Sequence, residues 1–217
     1  MIATTALDTD CLTGSLFDRW LSAVCPARRE KVNRCRFDRD RRLSLGAGIL
    51  LSRALGNFGL TDGAVVPDEN GKPYLPGETV CFSLSHSAHF AVCTVSSCPV
   101  GVDIEEIAPV SEALISRVCT PREREIFRNA GENTPELFCR LWTAKESVLK
   151  CTGAGLTVPP EKIEVALSDP PQVICTPFPG KFFLRQYRVE DCFLTVCTRQ
   201  YFPGQTLSLL SPRELEK

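Results

Sequence analysis

Apolar residues recur at helical spacing early in the chain, at Leu12, Leu16, Trp20 and Val24, and the pattern stops at Pro26. That spacing predicts a first helix. A second stripe, formed by Leu43, Ala47, Leu50, Leu51, Ala54 and Leu55, predicts another, ended by Gly56. From Ala64 the period changes. Residues 68–77 are turn chemistry, with Asn70-Gly71 a strong hairpin signal. The runs VCFSLSHS, HFAVCTVS and PVGVDIEEI then alternate with period two and predict three strands, up to Ala108-Pro109.

Beyond that point helical signals return. Thr120-Pro121-Arg122-Glu123 has the form of a capping box with proline at the first helical position. Thr134-Pro135-Glu136 opens a further helix that runs through LFCRLWTAKESVLK to Gly153 and Gly155. The segments KIEVALS, KFFLRQYRV and DCFLTVCTR read as strands, and the last dozen residues as a polar tail. Each half therefore runs from helices to strands. The order supports an α+β fold of two similar α/β lobes, residues 1–107 and 108–217, although no residue-level repeat links the halves.

Composition narrows the function. The 217 residues carry 25 Lys+Arg against 26 Asp+Glu, too balanced for a bulk nucleic-acid binder. No apolar run is long enough for a membrane span, and residues 1–10 lack the pattern of a secretory signal. A cytoplasmic protein is expected. Its twelve cysteines include no CxxC pair, which favours reduced, largely buried thiols over a zinc site. A Cys81, His86, His89, Cys93 zinc set is disfavoured because a strand scatters alternate side chains to opposite faces. One stretch departs from neutrality: Arg28 to Arg42 holds eight basic and three acidic residues, a net +5. Such a stretch suits an anion, or is a solvated helical face.

Candidate chemistry begins in VGVDIEE. Period two puts Asp103 and Glu105 on one face, roughly 6.5–7 Å apart. Paired carboxylates repel, and a hard divalent cation such as Mg2+ or Mn2+ relieves that repulsion; a solvated strand face is the plainer reading. On the helix that follows, Trp142, Glu146 and Lys150 share a face at four-residue intervals. Glu146 and Lys150 are a surface ion pair, or a further metal ligand or base beside a phosphate-binding lysine. Spacing alone leaves both open. Lys72 stands at the hairpin rim, and Ser85 and His86 at a strand end. There is no nucleophile elbow, Walker loop or dinucleotide fingerprint.

Taken in order, NGKPYL, FSLSHS, VGVDIEEI and LFCRLWTAKESVLKCTGAGL resemble the 4′-phosphopantetheinyl transferase family, in its surfactin-type branch. The resemblance spans about Asn70 to Leu156. Its most specific part is a G-[VI]-D-I-E strand followed some forty residues later by a W-[TS]-x-K-E-[SA]-x-x-K helix. It implies a pseudo-dimer of two similar lobes and Mg2+-dependent transfer of the phosphopantetheine arm of coenzyme A to a serine of an apo acyl or peptidyl carrier protein. It further implies Asp103, Glu105 and Glu146 as magnesium ligands, with Glu146 deprotonating the carrier serine and Lys150 steadying the pyrophosphate. Lys72, Ser85 and His86 match coenzyme A phosphate contacts. Arg28, Lys31 and Arg42 lie near the family's basic positions, offset by a residue or two. A monomer is expected. The competing readings are a Mg2+-dependent hydrolase of another diphosphate and a non-catalytic module that binds coenzyme A or carrier proteins.

Overall fold

The computed structural model describes residues 1–204 and 206–215. The chain opens with strand β1 (Ile2–Asp8), two short helices α1 (Gly14–Ala23) and α2 (Pro26–Arg34), and the 19-residue helix α3 (Asp38–Gly56). A short hairpin, β2 (Val66–Pro67) with β3 (Pro73–Tyr74), leads into a long one, β4 (Cys81–Ser87) with β5 (Phe90–Ser96). The second half runs through the same order. Strand β6 (Val100–Glu106) is followed by α4 (Glu112–Val118), α5 (Pro121–Phe127) and the 19-residue α6 (Thr134–Thr152). A short hairpin, β7 (Glu164–Ala166) with β8 (Gln172–Cys175), precedes a long one, β9 (Phe183–Val189) with β10 (Cys192–Thr198). Both long hairpins turn through two residues, and the first of each, Ala88 and Glu190, has positive φ without being glycine.

Two sheets result, ordered β11-β1-β5-β4 and β6-β10-β9, where β11 is Leu207–Leu210. The mixed α+β character agrees with the sequence, but the pairing differs from it in three places. A join at residue 108 would leave β6 with the first half; its ladder bonds go to β10 instead, from Val100↔Thr198 to Glu106↔Cys192. Residues 2–8 form a strand where the sequence shows only weak Ala/Thr alternation. The closing segment is no polar tail, because β11 lies parallel to β1 and α7 (Pro212–Leu215) buries Leu215 completely. Residues 216 and 217 lie outside the described residues.

Each long helix covers one sheet. On α3 the predicted stripe is buried apart from half-buried Ala54, and Leu45 and Ile49 are buried as well, since α2 packs over its other side. On α6, Leu141, Ala144, Val148 and Leu149 fill the second core. A third apolar cluster, including Phe90, Val92, Val102, Ile104 and Leu194, joins the two sheets. The approach of α6 to β6 depends on Gly101. A Cβ there would lie 2.0 Å from the Ser147 carbonyl oxygen and 2.4 Å from the Cys151 nitrogen. Glycine thus lets helix backbone rest on strand backbone, which brings the chemistry of α6 over that of β6. No helix among the described residues is long and apolar enough to cross a membrane, and all twelve cysteines are free thiols.

Candidate active site

β6 is an edge strand, so alternate backbone N–H groups along it have no strand partner. The neighbouring strand β4 supplies them with hydroxyls. Ser83 Oγ accepts from Val102 N at 3.0 Å, Ser85 Oγ from Ile104 N at 3.4 Å, and Ser87 Oγ from Glu106 N at 3.2 Å. Period two in FSLSHS puts all three serines on the face turned to β6. Two of them use their remaining proton on the carboxylates: Ser85 donates to Asp103 Oδ1 and Ser87 to Glu105 Oε2, each at 2.9 Å.

Asp103 is almost fully buried. Its Oδ1 also accepts from Lys150 Nζ at 2.7 Å, and the same ammonium donates to Ser85 Oγ at 2.9 Å. Burial still pushes the Asp103 carboxyl above the ordinary aspartate range, with Lys150 and Ser85 pulling it back. Glu105 is raised by burial and by the charge of Asp103, against the hydrogen bonds from Ser87 and Trp142. Glu146 is raised as well. Burial, then the charge of Asp103, push it up to about 7, with Lys150 opposing and Glu105 adding a smaller repulsion. The three carboxyls therefore share one electrostatic neighbourhood, and two buried oxygens, Asp103 Oδ2 and Glu146 Oε1, have no hydrogen-bond partner.

An all-oxygen donor set with unpartnered buried oxygens fits a hard divalent cation in chemistry. As the side chains stand, no three His, Cys, Asp or Glu groups among the described residues converge on a ready ion site. The Lys150 ammonium, held on Asp103 Oδ1, supplies the positive charge there.

The raised Glu146 has a consequence for stability. In the folded protein Glu146 keeps a proton that the unfolded chain, with an ordinary glutamate near about 4.3, has released. Its contribution to stability is therefore full below about pH 4 and is lost as pH rises through 7. In metal-free buffer Tm is expected to fall from pH 5 to pH 8 by roughly 4 °C more in the parent than in Glu146→Gln. Parallel Tm profiles for the two would show that Glu146 has no part in the pH dependence.

The basic residues are placed less uniformly. Arg28 lies along α3 because Gly48 is small; a Cβ at Gly48 would meet Arg28 Cγ at 2.6 Å. Burial keeps the His86 imidazole below its ordinary range, and the charges of Lys31, Lys150 and Arg28 add to the effect. Those three cations therefore reach the same strand end. Arg42 is held instead by Asp10 at 3.1 Å, beside a cavity of about 260 Å³ that it shares with Phe17, Asp38 and Arg41. Lys72 donates to the carbonyls of Lys150 at 2.5 Å, Val100 at 3.3 Å and Cys151 at 3.4 Å, so its ammonium caps the end of α6. A cavity of about 230 Å³ opens beside it, lined among others by Gly71, Pro73, Phe82, Leu84 and Lys150.

Three residues of this region have no individual role assigned from the sequence, although Ser87 ends the FSLSHS run, Arg39 lies in the basic stretch and Lys145 is the first lysine of the W-[TS]-x-K-E pattern. Ser87 is described above. Arg39 donates from Nε to the Ala88 carbonyl at 2.8 Å, tying the start of α3 to the tip of the β4–β5 hairpin. Lys145, next to Glu146, is fully buried and turned away from the cluster. Its Nζ donates to Glu123 Oε2 at 2.6 Å, Val118 O at 2.8 Å and Pro160 O at 3.2 Å. Helical spacing holds the signal for it, because Lys145 is four residues from Leu141 and from Leu149, on the apolar stripe.

Residues 99–197 match the family model of the 4′-phosphopantetheinyl transferase superfamily. A 4′-phosphopantetheinyl transferase of Bacillus subtilis is 31% identical over 188 residues, which cover 83% of this chain and 84% of that protein. The chain belongs to the 4′-phosphopantetheinyl transferase superfamily. Two further relatives are the 4′-phosphopantetheinyl transferase HetI of a Nostoc species and 4′-phosphopantetheinyl transferase Sfp of Bacillus subtilis. The first is 38% identical over 64% of this chain and 62% of its own length. The second is 26% identical over 91% and 92%. In this superfamily member the family-model match contains Asp103, Glu105, Glu146 and Lys150, and starts just before β6. Arg28, Lys31, Arg42, Lys72, Ser85 and His86 precede it.

Proposed function

We propose that this chain moves the 4′-phosphopantetheine arm of coenzyme A onto a serine hydroxyl of an apo carrier protein and releases adenosine 3′,5′-bisphosphate. The observation that carries this reading is the cluster of Asp103, Lys150 and a glutamate raised to about 7, in a chain of this superfamily. A base poised near neutrality accepts a proton well at the pH where cells work. Glu146 takes the proton of the carrier serine. The serine oxygen forms its bond to the nearer phosphorus as the phosphorus–oxygen bond to the adenosine phosphate breaks. Lys150 holds negative charge on the pyrophosphate, and His86 lies at the same strand end. Asp103, Glu105 and Glu146 would hold Mg2+, or Mn2+ in its place. Bound, such a metal neutralises charge on the pyrophosphate. The unpartnered oxygens of Asp103 and Glu146 support that assignment.

Arg28 and Lys31 form the attraction for the 3′-phosphate, whereas Arg42, paired with Asp10 beside another cavity, stands apart from them. Coenzyme A is accordingly expected to bind on the order of tenfold more tightly than dephospho-coenzyme A at low salt, about the worth of one charge-assisted contact. The advantage shrinks as salt rises, because the screening length falls to about 8 Å at physiological ionic strength. Calorimetric titration of both ligands at two salt concentrations measures it; equal affinities at low salt would leave this stretch a solvated face.

The two halves are read as similar lobes of a pseudo-dimer, with the boundary ahead of β6 at about residue 98 rather than at 108. Support comes from the shared element order, the two 19-residue helices and the family-model match that begins at residue 99. The protein is read as a cytoplasmic monomer, in keeping with its free thiols. Incubation with coenzyme A, Mg2+ and a panel of apo carrier proteins tests the activity. A carrier mass gain of one phosphopantetheine arm is expected. Cleavage of coenzyme A with no mass gain would mean a hydrolase, and binding without either change a non-catalytic module.

A further inference from the structure

Three serines of β4 face β6 in a constant register. Each accepts the N–H nineteen residues ahead, which leaves its own proton directed at the side chain eighteen residues ahead. Opposite Ser83 that position is Gly101, which has no side chain to receive it. Opposite Ser85 it is Asp103, and opposite Ser87 it is Glu105. Ser87 thus stands to Glu105 as Ser85 stands to Asp103. The two hydroxyls differ in one respect: Ser85 also touches the Lys150 ammonium, whereas Ser87 touches only the carboxylate and the Glu106 amide among the hydrogen bonds at its side chain.

Glu105 needs such a partner. It is only partly buried, and a glutamate has three side-chain torsions with which to leave a cluster that repels it. Neither Lys150 nor Lys72 donates a hydrogen bond to it; those ammonium groups are on Asp103 and on the end of α6, so its carboxylate relies on Ser87 of β4 and Trp142 of α6. We infer that Ser87 is a positioning residue: its hydroxyl, itself oriented by the Glu106 amide, fixes one oxygen of Glu105 and so sets the second carboxylate of the metal-binding cluster. The inference rests on the transferase reading for its place in the reaction. The hydrogen-bond geometry behind it does not depend on that reading. Partners of this kind, one bond removed from a ligand, change metal affinity or activity by roughly 10–100-fold when lost.

The test uses the full chain with Ser87→Ala, Ser87→Thr and Ser87→Cys. Mn2+ binding, read by calorimetry and by electron paramagnetic resonance in the presence of coenzyme A, gives metal affinity without relying on turnover. Ser87→Ala is expected to bind Mn2+ about 10–100-fold more weakly and to need correspondingly more metal for half-maximal transfer. Its KM for coenzyme A should stay within about threefold of the parent, because Ser87 acts on Glu105 and not on the phosphates. Ser87→Thr, which keeps the hydroxyl, should restore most of the metal affinity. Parental metal affinity in Ser87→Ala overturns the inference. So does a Ser87→Thr variant as weak as Ser87→Ala when both melt with the parent. If Ser87→Ala does not fold, Ser87→Cys keeps the size with a weaker hydrogen bond; intermediate affinity supports the role, and parental affinity removes it. A parent that modifies no carrier protein would defeat the transferase reading, while the metal titrations would still decide the role of Ser87.

Discussion

Glu146→Gln is expected to lower single-turnover transfer to an apo carrier protein by about 10²–10⁴-fold while leaving coenzyme A affinity nearly unchanged. Glutamine keeps the size of the side chain and one oxygen, but cannot take a proton. The environment makes the loss specific. Glu146 is raised to about 7 by burial and by Asp103, so near neutral pH a sizeable fraction of it is the free base, and that base holds its proton tightly enough to drive the transfer. Lys150→Ala should behave differently. It removes the ammonium from Asp103 Oδ1 and Ser85 Oγ, and with it a charge that attracts pyrophosphate. Coenzyme A affinity and rate should fall together. Normal turnover by Glu146→Gln, or no change in either quantity for Lys150→Ala, would make this helix face structural.

The second large effect concerns folding. Lys145→Met is expected to cost about 3–5 kcal/mol, read as a shift in the urea midpoint, since it strips the counter-charge from a buried carboxylate. Glu123 is 2% exposed, and both its oxygens accept hydrogen bonds. Its Oε1 accepts from Val165 N at 2.8 Å, and its Oε2 from Thr120 N at 2.7 Å and from Lys145. One carboxylate thus joins α5, β7 and α6, and the capping box legible at Thr120–Glu123 is a corner of that network. Adding Glu123→Gln to Lys145→Met removes the unpaired charge and keeps an oxygen for the backbone, so part of the loss should return. A Lys145→Met protein that unfolds at the parent's urea concentration would show that the pair contributes nothing.

What the sequence discloses here is what is local. The α3 and α6 stripes, the Asn70-Gly71 turn and the alternation from Cys81 to Glu106 are each set by neighbours a few residues away, and each is found as an element. The carboxylates of β6 and the Glu146–Lys150 face are legible for the same reason, because period two and period 3.6 place them. Pairing is not local. Nothing in VGVDIEE says that its ladder partner is CFLTVCT and not the hairpin just before it. β1 is equally silent, since Ala3, Thr4, Thr5 and Ala6 alternate weakly and gain their order from β5 and β11. Lys72 shows a further limit: a motif position carries a residue's identity, whereas the bonds of its ammonium depend on where α6 ends. Ser87 was visible only as part of a run, and its hydrogen bond needed the register of two strands from different sheets.

The parallel contact between β11 and β1 bears on how the chain is made. A ribosome releases residues 2–8 long before residues 207–215. Until those emerge, β1 keeps one unpaired edge, and the site on the first core filled by Leu215 stands open. The Trp20 indole likewise waits for the Leu215 carbonyl, 3.2 Å away in the finished fold. The half made first is thus completed by a segment made much later. Nascent chains stalled before residue 207 should display an exposed strand edge of the kind that chaperones and neighbouring chains bind, and a bulky fusion inserted at residues 203–206 would act on a sheet encoded two hundred codons upstream.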